Sequence, residues 1–189
     1  MSEIELVFAL ALLEHAGAQP GDRIEHASVA SDELVARIAR LGIQVCVQPH
    51  FIAERGDDYL RDVEPRHHPE LYRLRAFRDA GVALAGGSDA PFGLPDPWLG
   101  IAAAISRQTR SGVTMAANEA LSPEEALSLY LADPSDLTRR RQVAIGAAAD
   151  LCLLDRPWSA ARGALRAERV KATWISGRLV HDLVDQAPA

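Results

Sequence analysis

Short apolar runs alternate with segments of helical periodicity from about residue 20 to residue 140. Three short segments predict strands: Arg23 to His26, Ile43 to Val47 and Val82 to Ala85. The last two are continuously apolar, which is typical of strands buried on both faces. The segments between them carry apolar residues three and four positions apart, which indicates amphipathic helices. The pattern therefore predicts a series of strand–helix units.

Capping residues indicate where the helices begin and end. Ser31 precedes Asp32 and Glu33 and predicts a helix that Gly42 ends. Ser122-Pro123-Glu124-Glu125 combines a capping serine, proline at the first helical position and a glutamate three residues on. Further helices are predicted over Ile4 to Leu13, Glu70 to Ala80 and Trp98 to Thr109. The stretch from His50 to Pro69 is long for a connection, so it is either a functional loop or a set of short helices.

The last part of the chain has a different pattern. Residues 149–155 predict a strand, and Val170 to Ile175 with Arg178 to Val180 flank Ser176-Gly177, a two-residue hairpin signal. We therefore predict a β/α domain over residues 1–141 and a small β-rich domain over residues 142–189. Strands that alternate with helices require parallel pairing, so the first domain is of the α/β class. A doubly wound sheet and a barrel both satisfy this pattern.

Composition and charge exclude several classes of partner. The chain of 189 residues has a formal net charge of −6, which argues against nucleic acid and against a basic membrane-surface helix. The apolar run at Ile4 to Leu13 is too short to cross a bilayer, and Glu3 and Glu5 with no basic flank argue against a signal peptide. Cys46 and Cys152 lie in separate apolar runs and are expected to be buried thiols. A cytoplasmic location is expected.

Residues able to do chemistry follow each of the three predicted strands. His26 ends the first, Gln48 and His50 follow the second, and Asp89 follows the third after Gly86-Gly87-Ser88. In parallel β/α folds the carboxyl ends of the strands form the active-site face. Neutral imidazole and carboxylate are good ligands for zinc and similar divalent ions, and a carboxylate can also take a proton from water. Each residue alone has a structural interpretation, as a satisfied strand-end group or a loop cap, and only their joint occurrence favours a site.

Other kinds of site are not indicated. The sequence has no Gly-Lys-Ser/Thr phosphate loop and no Gly-x-Ser-x-Gly elbow. Gly86-Gly87 alone is too weak a signal for dinucleotide binding. A nucleotide-binding, doubly wound protein is therefore the least supported of the functions considered.

An ordered set of short motifs resembles one known family. The set comprises Arg23-Ile24-Glu25-His26-Ala27, Val47-Gln48-Pro49, Ala80-Gly81-Val82, Gly87-Ser88-Asp89-Ala90-Pro91, Pro95-Asp96-Pro97, residues 121–127 and Ala149-Asp150-Leu151. Together they run over nearly the whole chain and resemble the amidohydrolase superfamily. Within it they are most similar to the amidohydrolase 3 group, which includes N-substituted formamide deformylase-like enzymes and relatives of D-aminoacylases.

This resemblance implies a (β/α)8 barrel of the TIM type with a small β-sandwich beside it, to which the tail contributes strands. The strands ending at His26, near Gln48 and at Asp89 would be the sixth, seventh and eighth of the barrel. On this mapping His26 and Asp89 match metal-binding positions, and Asp89 also matches the general base. Pro91 and the loop after it would line the substrate pocket, whereas His50 follows Gln48-Pro49 where the family varies, so it has no fixed role and is a candidate substrate contact. The implied reaction is hydrolysis of a non-peptide C–N bond in a small amide- or formamide-type substrate by metal-activated water, with zinc as the expected metal.

The resemblance also has departures. The paired His-x-His of the family's first strand, its fourth-strand bridging residue and its fifth-strand histidine have no counterpart in this chain. A barrel of this kind needs about 250 residues, and three of eight strands would leave two unpaired sheet edges. A catalytically inactive half-barrel, needing further residues or a partner chain, is therefore the alternative hypothesis. The same exposed edges favour self-association, so a homo-oligomer is expected.

Overall fold

The computed structural model describes residues 2–183 and divides the chain into two compact units. The first ends at Arg140 and the second begins at Arg141. Within the described residues, none of the helices combines the length and apolarity that crossing a bilayer requires.

The first unit is built around a three-stranded parallel sheet, which confirms the α/β class. Its strands are β1 (Arg23–Glu25), β2 (Gln44–Val47) and β3 (Leu84–Gly86), in the spatial order β1-β2-β3. The register sets Glu25 opposite Cys46 and Cys46 opposite Ala85. The carboxyl ends of all three strands therefore lie at the same edge of the sheet.

Six helices accompany this sheet. They are α1 (Glu3–Ala16), α2 (Asp32–Leu41), α3 (His50–Asp62), α4 (Leu74–Asp79), α5 (Pro97–Ser106) and α6 (Pro123–Tyr130), with 3-10 turns at Pro65–Glu70 and Ala117–Glu119. A short antiparallel pair, β4 (Ala132–Asp133) and β5 (Asp136–Arg140), follows α6. The stretch from His50 to Pro69 thus forms helices, the second of the two alternatives. The capping box at Ser122 is confirmed, whereas the Ser31 side chain makes no capping hydrogen bond.

The predicted helix from Glu70 to Ala80 is wrong in its first turn. Leu71 instead forms an isolated antiparallel bridge with Val29, Tyr72 has a φ of 52°, and α4 begins at Leu74. The cause is Arg107, which is fully buried and donates hydrogen bonds to the carbonyls of Leu71 and Tyr72, each at 2.9 Å, and to the carbonyl of Met115 at 3.0 Å. The carbonyls of Leu71 and Tyr72 face Arg107, and helix α4 begins after these two residues.

The apolar residues of helices α1 and α3 differ in how far they are buried. On α1, Leu6 and Leu10 are buried, whereas Ile4, Phe8 and Leu12 are 81%, 65% and 54% exposed. On α3, by contrast, the apolar residues belong to a buried cluster formed by Val29, Phe51, Ile52, Leu71, Tyr72, Ala103 and Met115. The core of the first unit is therefore continuous on the side of α3 and α5.

The second unit is a three-stranded antiparallel sheet of β6 (Leu151–Leu154), β7 (Val170–Ile175) and β8 (Arg178–Asp182), with α7 (Trp158–Ala161) between β6 and β7. Ser176 and Gly177 both have positive φ, 50° and 76°, as a tight hairpin turn requires. The hairpin prediction is confirmed. The prediction that Cys152 is buried is wrong, because β6 is an edge strand whose residues are largely exposed.

Candidate functional site

The three strand ends bring two of the predicted residues to one cleft. His26 directly follows β1, and Asp89 lies three residues beyond β3. Both line a cleft of about 640 Å³ at the carboxyl edge of the sheet. This arrangement follows from the parallel register, because strands that run the same way end at the same edge.

The face of α3 forms one wall of this cleft. The cleft is lined by His26, Ser28, Phe51, Arg55, Asp58, Tyr59, Asp62, Tyr72, Asp89 and Phe92. The five members of this set between residues 51 and 62 follow one another at intervals of four, three, one and three positions, a pattern that places them on one side of the helix. A single helix therefore supplies half of the cleft lining.

Several cleft residues have an uncommon backbone conformation. His26, Tyr72 and Asp89 have φ values of 72°, 52° and 52°, in the left-handed region that side-chain-bearing residues seldom adopt. Such conformations are costly and persist where the surrounding structure imposes them, which is characteristic of functional sites. The left-handed turn after β1 is fixed by the hydrogen bond that the His26 amide donates to the Cys46 carbonyl at 2.9 Å.

The imidazole of His26 has a buried partner. Its Nδ1 lies 2.8 Å from Oε1 of Gln48, and Gln48 is only 3% exposed. The amide nitrogen of Gln48 in turn donates to the Cys46 carbonyl at 3.2 Å. The ring of His26 is thus held at one nitrogen, and the other nitrogen remains available to a ligand.

The charges on the α3 wall are largely paired. The Arg55 guanidinium lies 3.7 Å from the centre of the Phe92 ring and 5.0 Å from that of Phe51, and it donates to the Phe92 carbonyl at 2.8 Å. Arg61 pairs with Asp58 at 2.9 Å and Asp62 at 2.7 Å. Arg55 therefore fastens the segment after β3 to α3, while Arg61 offsets the two carboxylates.

His50 is placed away from this cleft. It is 1% exposed and lines a smaller cavity of about 220 Å³ together with Gly86, Ser88, Pro95, Asp96, Pro97 and Tyr130. Its Nε2 is buried and has no hydrogen-bond partner among residues 2–183. Burial lowers the pKa of His50, and the negative charge of Glu54 only partly opposes this. The imidazole is therefore favoured in its neutral form.

Pro91 is exposed and follows a cis peptide bond from Ala90. It does not belong to the residues that line the larger cleft. Of the four predicted site residues, the structure therefore brings together His26 and Asp89 and sets His50 and Pro91 apart from them. The substrate-contact roles of His50 and Pro91 stay predictions.

The donors of His26 and Asp89 suit a divalent metal ion, because imidazole and carboxylate are both common zinc ligands. Among residues 2–183, however, no three His, Cys, Asp or Glu side chains are grouped so that they could hold a metal ion. Two ligands are fewer than the three or four protein ligands that zinc sites use. The residues present thus fit part of a metal site.

Sequence reasoning missed the α3 wall and the partner of His26. Gln48 was recognised at a strand end but not as the side chain that binds His26. Three residues of that wall, Phe51, Arg55 and Tyr59, lie in the stretch from His50 to Pro69, which the sequence interprets as either a functional loop or short helices. Their spacing of four residues was the available signal, and it indicates one helical face.

Known proteins resemble this chain in sequence and structure. Residues 2–181 match the model of the Amidohydro_3 family, described as an amidohydrolase family. An N-substituted formamide deformylase of Arthrobacter pascens is 31% identical over 166 residues, which are 85% of this chain and 31% of that protein. The curated relatives that the chain matches are about three times its length, since it spans 31% and 32% of two of them.

Two solved structures are also similar, both of uncharacterized metal-dependent hydrolases. The one from Pyrococcus horikoshii OT3 is 30% identical, with a TM-score of 0.60 over 68% of this chain and 26% of that chain. The one from Pyrococcus furiosus is 32% identical, with a TM-score of 0.57 over 68% of this chain and 25% of that chain. The family match extends over nearly all of the described residues and includes both strand-end residues of the cleft. The chain belongs to the amidohydrolase family.

Proposed function

We propose that the enzyme containing this chain is a metal-dependent amidohydrolase that cleaves a non-peptide C–N bond in a small amide- or formamide-type substrate. The observation that carries this proposal is the position of His26 and Asp89 on one cleft at the carboxyl edge of a parallel sheet. The similarity to an N-substituted formamide deformylase supports the bond type, and the similarity to metal-dependent hydrolases supports the metal.

The architecture we propose is the C-terminal part of a (β/α)8 barrel. In it, β1, β2 and β3 would be the sixth, seventh and eighth strands, and residues 1–141 would belong to the catalytic domain. Residues 142–189 would supply strands to a composite β-sandwich. The parallel order β1-β2-β3 supports the first assignment, and the antiparallel sheet β6-β7-β8 supports the second.

His26 and Asp89 would bind a divalent ion, with zinc as the expected metal, together with ligands from outside this chain. A bound ion of this kind lowers the pKa of a water molecule and polarises a carbonyl oxygen. His26 contributes a nitrogen ligand whose ring is fixed by Gln48. In the proposed reaction His26 neither gains nor loses a proton.

Asp89 would move the proton. Its carboxylate is exposed to the cleft, so it can accept a proton from the attacking water and give it to the leaving amine. The organic part of the substrate would contact the phenylalanine and tyrosine residues that line the cleft, which are Phe51, Tyr59, Tyr72 and Phe92. Proton transfer and substrate contact are thus assigned to different parts of the site.

Substitution of the proton carrier tests this proposal. In the enzyme that contains this chain, Asp89→Asn should lower turnover of formamide and N-acyl amide substrates by roughly 10²- to 10⁴-fold, the usual contribution of a general base. Asp79→Asn is the matched control, because Asp79 is an exposed carboxylate paired with Arg78 on α4. Normal turnover by Asp89→Asn would remove Asp89 from the mechanism.

Metal content separates this proposal from the alternative of an inactive half-barrel. Zinc, manganese and iron are measured per chain after extensive dialysis of the 189-residue protein. About one tightly held ion per chain, lost in His26→Ala and in Asp89→Ala, would show that these residues bind metal with further ligands supplied by association of the chain. A 189-residue chain that keeps no metal would be an inactive half-barrel by itself, and the same measurement on the enzyme that contains this chain, with the same two variants, then decides whether His26 and Asp89 bind metal.

A further inference from the structure

Gln48 occupies a buried position between β2 and α3 and makes two hydrogen bonds through its side-chain amide. It is 3% exposed, so both polar atoms of the amide need partners within the protein. Oε1 lies 2.8 Å from Nδ1 of His26, and Nε2 lies 3.2 Å from the carbonyl oxygen of Cys46. The amide is therefore satisfied at both ends.

The Cys46 carbonyl determines which way the amide points. A carbonyl oxygen only accepts hydrogen bonds, and this one already accepts the backbone N–H of His26 at 2.9 Å. The nitrogen of the Gln48 amide must face it, because the opposite orientation would set two oxygens against each other. The Gln48 oxygen is consequently turned toward His26.

The orientation of the amide determines the tautomer of the histidine. An amide oxygen has no proton to give, so Nδ1 of His26 must donate. In a neutral imidazole one nitrogen carries the proton and the other carries the lone pair. Protonation of Nδ1 thus leaves Nε2 unprotonated.

We propose that Gln48 is a positioning residue that fixes His26 in the tautomer with its proton on Nδ1, so that Nε2 can bind the metal ion. The role in metal binding rests on the proposed function above, whereas the role in the tautomer rests on the hydrogen bonds alone. Gln48 acts through His26 and touches neither substrate nor metal.

An uncharged partner suits this position. Metal-binding histidines usually donate their second N–H to a carboxylate, a carbonyl or water, and the partner fixes the ring. A carboxylate at a site only 3% exposed would need a compensating charge, and its oxygens would also oppose the Cys46 carbonyl. Glutamine supplies the acceptor for His26 and the donor for Cys46 in one side chain.

The tautomer is measured by ¹⁵N NMR of the neutral imidazole of His26 in the metal-free 189-residue chain, because protonated and unprotonated ring nitrogens have well-separated shifts. In the wild-type chain we expect the proton on Nδ1. In Gln48→Met, which keeps the length of the side chain but offers only a weak acceptor, we expect the Nε2–H form to predominate. Gln44→Met is the matched control, since Gln44 is a buried glutamine on β2, four residues before Gln48, whose side chain bonds Leu137 and Asp136 instead of His26.

The tautomer assignment would be overturned by a wild-type His26 with its proton on Nε2, or by a Gln48→Met chain in which Nδ1 stays protonated. The first requires no variant, so it decides the matter even if Gln48→Met does not fold. A change of tautomer in Gln44→Met equal to that in Gln48→Met would assign the effect to general loosening of β2 and would also overturn it.

Zinc titration of the same chains tests the consequence for metal binding. Loss of a histidine's hydrogen-bond partner typically weakens metal affinity by about 10- to 100-fold, and we expect this loss in Gln48→Met relative to both wild type and Gln44→Met. Equal zinc affinity in Gln48→Met and wild type would contradict the positioning role. A wild-type 189-residue chain that has Nδ1–H but binds no zinc would leave the tautomer assignment standing, and the zinc titration is then made in the enzyme that contains this chain, where equal affinity of Gln48→Met and wild type would contradict the positioning role.

Discussion

Gly93 lies directly against the imidazole of His50, so that a Cβ atom on Gly93 would be only 2.3 Å from His50 Nε2. The same Cβ would lie 2.5 Å from the Ser88 carbonyl oxygen and 2.8 Å from Cε1 of Phe51. The segment after β3 can therefore cover His50 only because residue 93 has no side chain. This close cover explains why His50 is buried although it begins a helix.

We expect Gly93→Ala to destabilise the first unit by about 1–3 kcal/mol, the usual cost of forcing a methyl group into a filled space. The measurement is the free energy of unfolding in urea. Gly163→Ala is the control, because a Cβ at Gly163 would meet its nearest neighbour at an ordinary 3.8 Å. Equal stability of the two variants would show that the segment gives way without cost.

Arg107→Met should destabilise the chain by roughly 2–4 kcal/mol, because the buried carbonyls of Leu71, Tyr72 and Met115 lose their donors. The loss is less than the sum of three bonds, since burial of the guanidinium is itself unfavourable and lowers the pKa of Arg107 to about 10. Arg110→Met, on an exposed arginine nearby, should leave the urea midpoint almost unchanged. A midpoint for Arg107→Met that matched this control would exclude Arg107 as the group that fixes Leu71 and Tyr72.

The two cysteines should differ in reactivity. Burial raises the pKa of Cys46 to about 12, and the thiolate is the form that attacks thiol reagents, so Cys46 should be inert near neutral pH. Cys152 is exposed on the edge strand β6, and about one thiol per chain should react before unfolding. A colorimetric thiol assay measures this. Cys152→Ser should abolish the native-state reaction, and a fast reaction that survives in this variant would show that Cys46 is accessible.

The stability of the second unit should depend on pH through the carboxyl group of Asp155. Hydrogen bonds from Arg156, and then from Arg169, lower the pKa of this carboxyl from 3.8 to about 2. Because the folded pKa lies below the unfolded one, the stabilisation is present above about pH 4 and is lost as the pH falls toward 2. The difference in Tm between wild type and Asp155→Asn should therefore be present at about pH 5 and should shrink between about pH 4 and 2. A difference that stays constant over this range would show that the arginines do not favour the ionised carboxylate.

The sequence predicted the parallel sheet because its signals are local. β2 and β3 lie in apolar runs that end at a Gly, a Pro or a polar residue, and their boundaries were predicted within about two residues. The placement of His26 and Asp89 at one edge follows from parallel pairing alone. The local pattern of each element, with the rule that strands alternating with helices pair in parallel, was therefore sufficient for the framework of the site.

The remaining features depend on contacts between residues distant in sequence. Leu71 and Tyr72 leave the helical conformation because of Arg107, which is 36 and 35 residues away. The sequence does not decide between a loop and helices from His50 to Pro69, because Gly56 lowers the helix propensity of this stretch. The glycine is required since a Cβ there would lie 2.5 Å from Cγ2 of Thr109, in the segment after α5. Neither partner can be identified from the local pattern.

The strand ends and helix α3 supply different residues of the cleft, and this separation bears on how the substrate preference of the protein can change. The strand ends carry His26 and Asp89, whereas the α3 face from Phe51 to Asp62 supplies half of the lining. Mutations confined to this one helix can therefore alter the shape and charge of the cleft while the strand-end residues stay in place. A combinatorial library restricted to the cleft-facing positions of α3 is therefore a small starting point for directed evolution of new substrate preferences. Substitutions at the same positions can change substrate preference in natural evolution as well.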